Sequence, residues 1–282
     1  MADDVRAGLT VPALPPIIDA DELAGLDPAP VIADARQYGD GRDGREEYEL
    51  GHLPGAVFVD TETDLAGPPT AERGRHPLPD PEAFAAAMRR IGVSAGTAVV
   101  AYDDADGMYA GRLVVMLRSL DHPAALLDGG LRGWTAELES GPSPVPAAGD
   151  LAARPWPADR FVTVDEVVDH VGRGGTLVDA RAGARFRGEV EPIDAVAGHI
   201  PGAINRPFAD NLDDQGHFLA ADALRERFAG LGERPIAYCG SGVSACHDLL
   251  AMERAGIDDG RLYVGSWSAW SSDPDRPIAT GD

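Results

Sequence analysis

The stretch Tyr238-Cys239-Gly240-Ser241-Gly242-Val243-Ser244-Ala245-Cys246 carries the clearest chemistry in this chain. An apolar run, Ile236–Tyr238, delivers the backbone to Cys239, and apolar residues at helical spacing follow over 243–255. Two glycines allow a tight curl through conformations closed to other residues. Such a curl aims backbone N–H groups at one point, and a following helix N-terminus adds positive potential. Fixed N–H donors favour a thiolate over a thiol. Cys239 therefore reads as a nucleophile; the competing reading is a buried structural cysteine at a strand end.

The loop also limits what the nucleophile meets. A phosphate-cleaving Cys-x5-Arg loop needs an Arg fork at position 245, where Ala stands. The loop carries neither Arg nor Lys. N–H donors alone suit a singly charged thiolate or persulfide better than a dianionic phosphate.

The elements that position this loop occur twice. Gly51-His52-Leu53-Pro54-Gly55-Ala56 returns 147 residues later as Gly198-His199-Ile200-Pro201-Gly202-Ala203. Val31-Ile32-Ala33-Asp34-Ala35-Arg36 answers Leu177-Val178-Asp179-Ala180-Arg181. Ala98-Val99-Val100-Ala101-Tyr102-Asp103 answers Pro235-Ile236-Ala237-Tyr238-Cys239, and 129–134 answers 265–270. Four matches in one order predict two homologous domains, residues 1–140 and 160–282. The Pro-rich stretch 141–159, with Pro142, Pro144, Pro146, Pro155 and Pro157, sustains no helix or central strand and reads as their linker. Within each copy, short apolar runs (98–102, 124–127; 177–178, 236–238, 262–264) alternate with helical patterns. That predicts α/β domains with mainly parallel sheets flanked by helices. In such sheets ligands bind at the carboxyl ends of strands, where Cys239 falls.

Composition narrows the partners. The 282 residues hold 24 Lys plus Arg against 47 Asp plus Glu, a net charge of −23. That disfavours nucleic acid and anionic membrane surfaces. Two cysteines build neither a disulfide framework nor a zinc pattern. The start, Met1-Ala2-Asp3-Asp4-Val5-Arg6, lacks a signal peptide's apolar core, and no apolar run nears the roughly 18 residues of a membrane span. A cytoplasmic, reducing setting is expected. No metal, nucleotide or flavin motif is present, so no cofactor is expected.

The doubled Asp-Ala-Arg…Gly-His-[Leu/Ile]-Pro-Gly-Ala…Cys-loop…Trp layout resembles the tandem-domain rhodaneses over nearly the whole chain. The loop Cys-Gly-Ser-Gly-Val-Ser-Ala is similar to the 3-mercaptopyruvate sulfurtransferase version, with Ser244 in place of Thr. Thiosulfate-preferring relatives carry a basic loop. The resemblance implies transfer of a sulfane sulfur from 3-mercaptopyruvate, through a Cys239 persulfide, to a thiol such as thioredoxin or a small thiol, or to cyanide. It implies that Ser241 works with Asp60 and His76 of the first domain as a proton relay. It implies that Arg185 binds the donor's carboxylate, with Gly240, Gly242, Val243 and Ser244 cradling the anionic sulfur. A second substrate Arg is expected after Glu191-Pro192, but Ile193 stands there; Arg187 is the nearby candidate. The Glu-Pro-x-Asp-Ala-Val wording is closer to thiosulfate-type relatives, so thiosulfate is the alternative donor. A non-enzymatic persulfide carrier is a further alternative.

Asp103 occupies the nucleophile's place in the first copy, followed by Asp104-Ala105-Asp106, which reads as a catalytically silent domain. Asp34, Arg36, Asp179, Arg181, His52 and His199 occur in both copies and read as fold features, as do Trp134 and Trp270. Trp267 is a candidate pocket residue. Cys246 reads as a small buried hydrophobe. A monomer is expected, because two domains already share one cleft.

Overall fold

The computed structural model describes residues 14–144 and 146–282; the reading of Met1–Arg6 lies outside them. The first domain holds strands β1 (Ile17–Ile18), β2 (Val31–Asp34), β3 (Val57–Phe58), β4 (Val99–Tyr102) and β5 (Ala124–Leu127). The second holds β6 (Phe161–Val162), β7 (Leu177–Asp179), β8 (Ala203–Asn205), β9 (Ile236–Tyr238) and β10 (Arg261–Tyr263). Each set forms a five-stranded sheet, ordered β1-β5-β4-β2-β3 and β6-β10-β9-β7-β8. The two orders are the same. Every ladder is parallel. The central strands β4 and β9 are buried along their length, as expected for sheets covered on both faces.

The repeated residues rebuild the same local structure twice. The Arg36 guanidinium forks onto Asp34 and donates to Gly51 O at 2.7 Å. Arg181 forks onto Asp179 and donates to Gly198 O, also at 2.7 Å. The His52 ring stacks on Tyr48, and the His199 ring on Phe186. Tyr102 and Tyr238 hydroxyls accept from the backbone N–H of Leu53 and Ile200. These groups clamp the Gly-His-x-Pro-Gly turn onto the strand ends in both domains. The arginines spend their donors on neighbouring carboxylates and backbone carbonyls within their own domain.

Helix starts follow their caps. Asp80 accepts from the N–H of Glu82 and Ala83 ahead of Pro81–Arg90, with Pro at the first helical position. Thr163 and Glu166 form a capping box before Val164–Gly172. Helices Ala110–Ser119 and Ser244–Arg254 meet between the domains, where a Cβ on Gly111 would lie 3.5 Å from His247 N. Leu113, Val114 and Leu117 of one helix share a core with Leu250 and Ala251 of the other. The hydrophobic core thus runs without a break through both domains, and this fixes the cleft between them.

Residues 141–160 hold no helix or strand among those described. They nevertheless pack on the first domain: Gly149 N–H donates to Arg89 O, and Trp156 Nε1 to Pro79 O with its ring 5.0 Å from Phe84. No helix among the described residues is long and apolar enough to cross a membrane.

Candidate active site

The carboxyl end of β9 opens into a cleft of about 460 Å³ between the domains. Cys239, Gly240, Ser241, Val243 and Ser244 form one wall; Glu62, Arg75, His76 and Tyr109 of the first domain form the other. Cys239 is almost wholly buried at the strand end. Its Sγ accepts the Gly242 N–H at 3.1 Å, so the loop folds back over the sulfur. Gly242 does this at φ +77°, and a Cβ there would meet Val264 O at 2.6 Å. Both facts demand glycine. The N–H groups of Gly240, Ser241, Val243 and Ser244 make no hydrogen bond among the described residues. The turn after β10 braces the loop from behind. Ser266, at φ +52°, accepts the Cys239 N–H on its hydroxyl, and Trp267 and Ser268 N–H donate to Cys239 O and Gly240 O.

The first domain reaches the loop through three side chains. His76 Nδ1 lies 2.8 Å from Ser241 Oγ, and its Nε2 lies 3.1 Å from Glu62 Oε1. A carboxylate only accepts, so Nε2 carries the hydrogen and Nδ1 accepts from the Ser241 hydroxyl. Burial lowers the pKa of His76; the Glu62 hydrogen bond opposes this, and the charges of Arg112 and Arg75 reinforce it. The ring is therefore held neutral, as an acceptor at Nδ1. Arg112 is fully buried and lies behind the loop. It donates to Gly242 O at 2.9 Å, His76 O at 2.8 Å and Leu65 O at 3.0 Å. Its partners are carbonyls, so its full positive charge stays behind the cysteine loop. Arg75, the third, bonds Asp194 of the second domain.

Two residues named from the sequence take other partners. Asp60 makes no hydrogen bond to His76 among the described residues. Its Oδ1 accepts from the N–H of Glu62 and Thr63 and caps that turn. Glu62, two residues on, takes the place beside the imidazole. The Arg187 guanidinium forks onto exposed Glu189, while Ile193 lines the cleft, 60% exposed. Arg185 does reach the loop, held by Glu191 at 2.6 Å and Asp194 at 3.5 Å. Arg75 reaches it from the other side. Sequence reasoning missed Arg75, Arg112 and Glu62.

Other residues take structural places. Trp267 is fully buried, its Nε1 donating to Val196 O with Arg181 stacked at 4.8 Å. It is a core residue, not a cleft residue. Trp270 is buried and Trp134 half-buried in the outer cores. Cys246 is buried, its thiol donating to Gly242 O, and burial pushes its pKa up to about 12. In the first domain, the Asp103 carboxylate accepts four backbone N–H bonds, from Ala105, Gly107, Tyr109 and Ala110, all at 2.8–2.9 Å. The nest that would hold an anion there is filled by the chain's own side chain.

The doubled sheet order, the two matching clamps and the Cys loop with its unpaired N–H groups define a two-domain fold. The rhodanese-like domain model matches this chain at residues 19–137 and 163–273. The chain belongs to the rhodanese-like family, in tandem form, and is a sulfurtransferase. A probable 3-mercaptopyruvate sulfurtransferase of Pseudomonas aeruginosa is 43% identical over 94% of this chain and 98% of its own length. A putative thiosulfate sulfurtransferase of Mycobacterium tuberculosis is 42% identical over 94% of this chain and 97% of its own. The solved 3-mercaptopyruvate sulfotransferase structure from Escherichia coli superposes with a TM-score of 0.77 at 35% identity, covering 90% of this chain and 99% of that one.

Proposed function

We propose that this sulfurtransferase takes its sulfur from 3-mercaptopyruvate and carries it on Cys239. The Cys239 thiolate attacks the donor's sulfur, and the S–C3 bond breaks toward the carbonyl as an enolate. The donor's S–H proton ends on C3, giving pyruvate and a Cys239 persulfide anion. An acceptor thiol, or cyanide, then attacks the outer sulfur and restores the thiolate. Thioredoxin and small thiols fit the acceptor role equally.

The observation that carries this reading is the Ser241–His76 hydrogen bond beside Cys239. A sulfur leaving from an α-keto acid needs a proton moved near the enolate; sulfur leaving from thiosulfate does not. A hydroxyl linked to a neutral imidazole, itself oriented by Glu62, suits that task. The unoccupied loop N–H groups and the buried Arg112 charge suit the anionic sulfur in both half-reactions. Asp60 serves as the cap of the Glu62 turn. Thiosulfate is the second reading, favoured by the name of the mycobacterial relative. A reducing, cytoplasmic setting belongs to the proposal, since both cysteines are unpaired. So does a monomer, because the cleft is completed within one chain.

The test is turnover with each donor at saturating cyanide. Faster turnover from 3-mercaptopyruvate, with stoichiometric pyruvate, is the expected result. Faster turnover from thiosulfate overturns the donor, and no turnover from either overturns the enzymatic reading.

A further inference from the structure

Arg75 and Arg185 approach the cysteine loop from opposite domains and meet at Gly240. A Cβ at Gly240 would lie 2.9 Å from Arg75 Nη2 and 3.6 Å from Arg185 Nη1. Each guanidinium is already held in part by an acid. Arg75 Nη1 is bound to Asp194; Arg185 Nε and Nη2 are bound to Glu191, with Asp194 also 3.5 Å from Nη2. Arg75 Nη2 and Arg185 Nη1 make no hydrogen bond among the described residues. Arg185 Nη2 also lies near Gly240, 3.4 Å from that Cβ position, but it is already held by Glu191, so these two nitrogens are the ones left for a ligand. The acids behind them are 7% and 3% exposed, so both guanidiniums are anchored from their buried side.

We propose that Arg75 Nη2 and Arg185 Nη1 form a two-domain clamp for the donor's carboxylate, with Arg75 the residue that selects a carboxylate donor. This rests on the 3-mercaptopyruvate reading above. A carboxylate offers two coplanar oxygens, and two converging N–H donors of separate guanidiniums satisfy one each. Charge balance selects among anions. Two guanidiniums against Asp194 and Glu191 make a neutral frame, so a bound monoanion adds one net charge and a dianion adds two. The frame therefore favours an α-keto monocarboxylate over thiosulfate. Asp194 touches both arginines and sets their spacing, which makes it a positioning residue. A bound carboxylate also ties the silent domain to the catalytic one.

The experiment pairs kinetics with direct binding. Arg75→Ala, Arg75→Lys and Asp194→Asn are compared with the wild-type chain, each first checked for an unchanged melting temperature. Donor KM, cyanide KM and kcat are measured with 3-mercaptopyruvate, and pyruvate binding is measured by calorimetry without turnover. In Arg75→Ala, donor KM and pyruvate Kd rise together by roughly 10- to 100-fold, the loss of one charged hydrogen bond. Cyanide KM is unchanged and kcat changes far less than KM. Lys restores only part, because a point charge replaces a fork. Asp194→Asn moves the same two constants in the same direction. Pyruvate binding to Arg75→Ala as tightly as to wild type, no pyruvate binding to wild type, or a kcat loss at constant KM overturns the clamp. Absence of wild-type turnover from 3-mercaptopyruvate overturns the donor reading instead, and pyruvate binding still decides the clamp.

Discussion

His76 of the first domain accepts a hydrogen bond from Ser241 of the cysteine loop, at 2.8 Å across the interdomain cleft. The proposed nucleophile and its proposed proton-handling partner thus come from different copies of one repeat. Loss of the link should show in the chemistry and not in the fold. Ser241→Ala lowers kcat with 3-mercaptopyruvate by about 10²-fold, the scale of a lost general acid–base group. Thiosulfate turnover falls much less. Equal losses with both donors would remove the relay from the mechanism.

Glu62 and Asp60 separate cleanly by substitution. Glu62→Gln leaves the imidazole without its carboxylate and lowers kcat with 3-mercaptopyruvate. Asp60→Ala removes a cap on two N–H groups and costs about 1 kcal/mol in a urea titration. Its kcat stays close to wild type. A large kcat loss in Asp60→Ala with no effect of Glu62→Gln would return the role to Asp60.

Arg112 gives a stability prediction. Its guanidinium satisfies carbonyls from Leu65, His76 and Gly242, in both domains, with no exposure to water. Arg112→Met strands these buried acceptors and costs at least about 3 kcal/mol by denaturant unfolding. The residual folded protein turns over slowly, because the Gly242 carbonyl that braces the loop is released.

Asp248 and His247 give a pH dependence. Asp248 is fully buried; desolvation raises its pKa to about 8, opposed by Asn211, whose amide donates to Oδ1, while Oδ2 has no partner among the described residues. The fold therefore holds this carboxyl protonated while the unfolded chain ionises it near pH 4. Its contribution to stability is present at low pH and is lost as pH rises toward 8, at up to about 1.4 kcal/mol per pH unit. His247 is lowered to about 3 by burial, so its contribution is lost as pH falls from about 6.5 toward 3. Asp248→Asn should raise the melting temperature at pH 8 and have little effect near pH 4, measured by thermal unfolding across that range. An equal effect at both pH values would contradict a protonated Asp248.

Much of this was legible because the chain repeats itself. Ile236–Tyr238 and Ala124–Leu127 form strands at the expected residues, since short buried apolar runs between glycine-rich turns have little alternative. Cys239, Ser241, His76 and Arg185 meet at one cleft, as their motifs imply. What stayed hidden depends on the interface between the copies. Arg112 sits in a helical pattern where an Arg ordinarily faces water, and its partners, the carbonyls of Leu65, His76 and Gly242, come from loops distant in sequence. Arg75 gains its partner, Asp194, from 119 residues away. Glu62 is separated from Asp60 only by which way one turn presents its side chains. β1 has two residues, too short for any periodicity, and is a strand only because β5 pairs with it.

The central claim is one sulfur carried on one cysteine. The direct measurement is intact mass after 3-mercaptopyruvate alone, on the wild-type chain, Cys239→Ala and Asp103→Cys. Wild type gains one sulfur atom, Cys239→Ala gains none, and Asp103→Cys gains no second one, because acidic neighbours remain around that nest. Sulfur uptake by Cys239→Ala, or none by the wild type, would contradict the account.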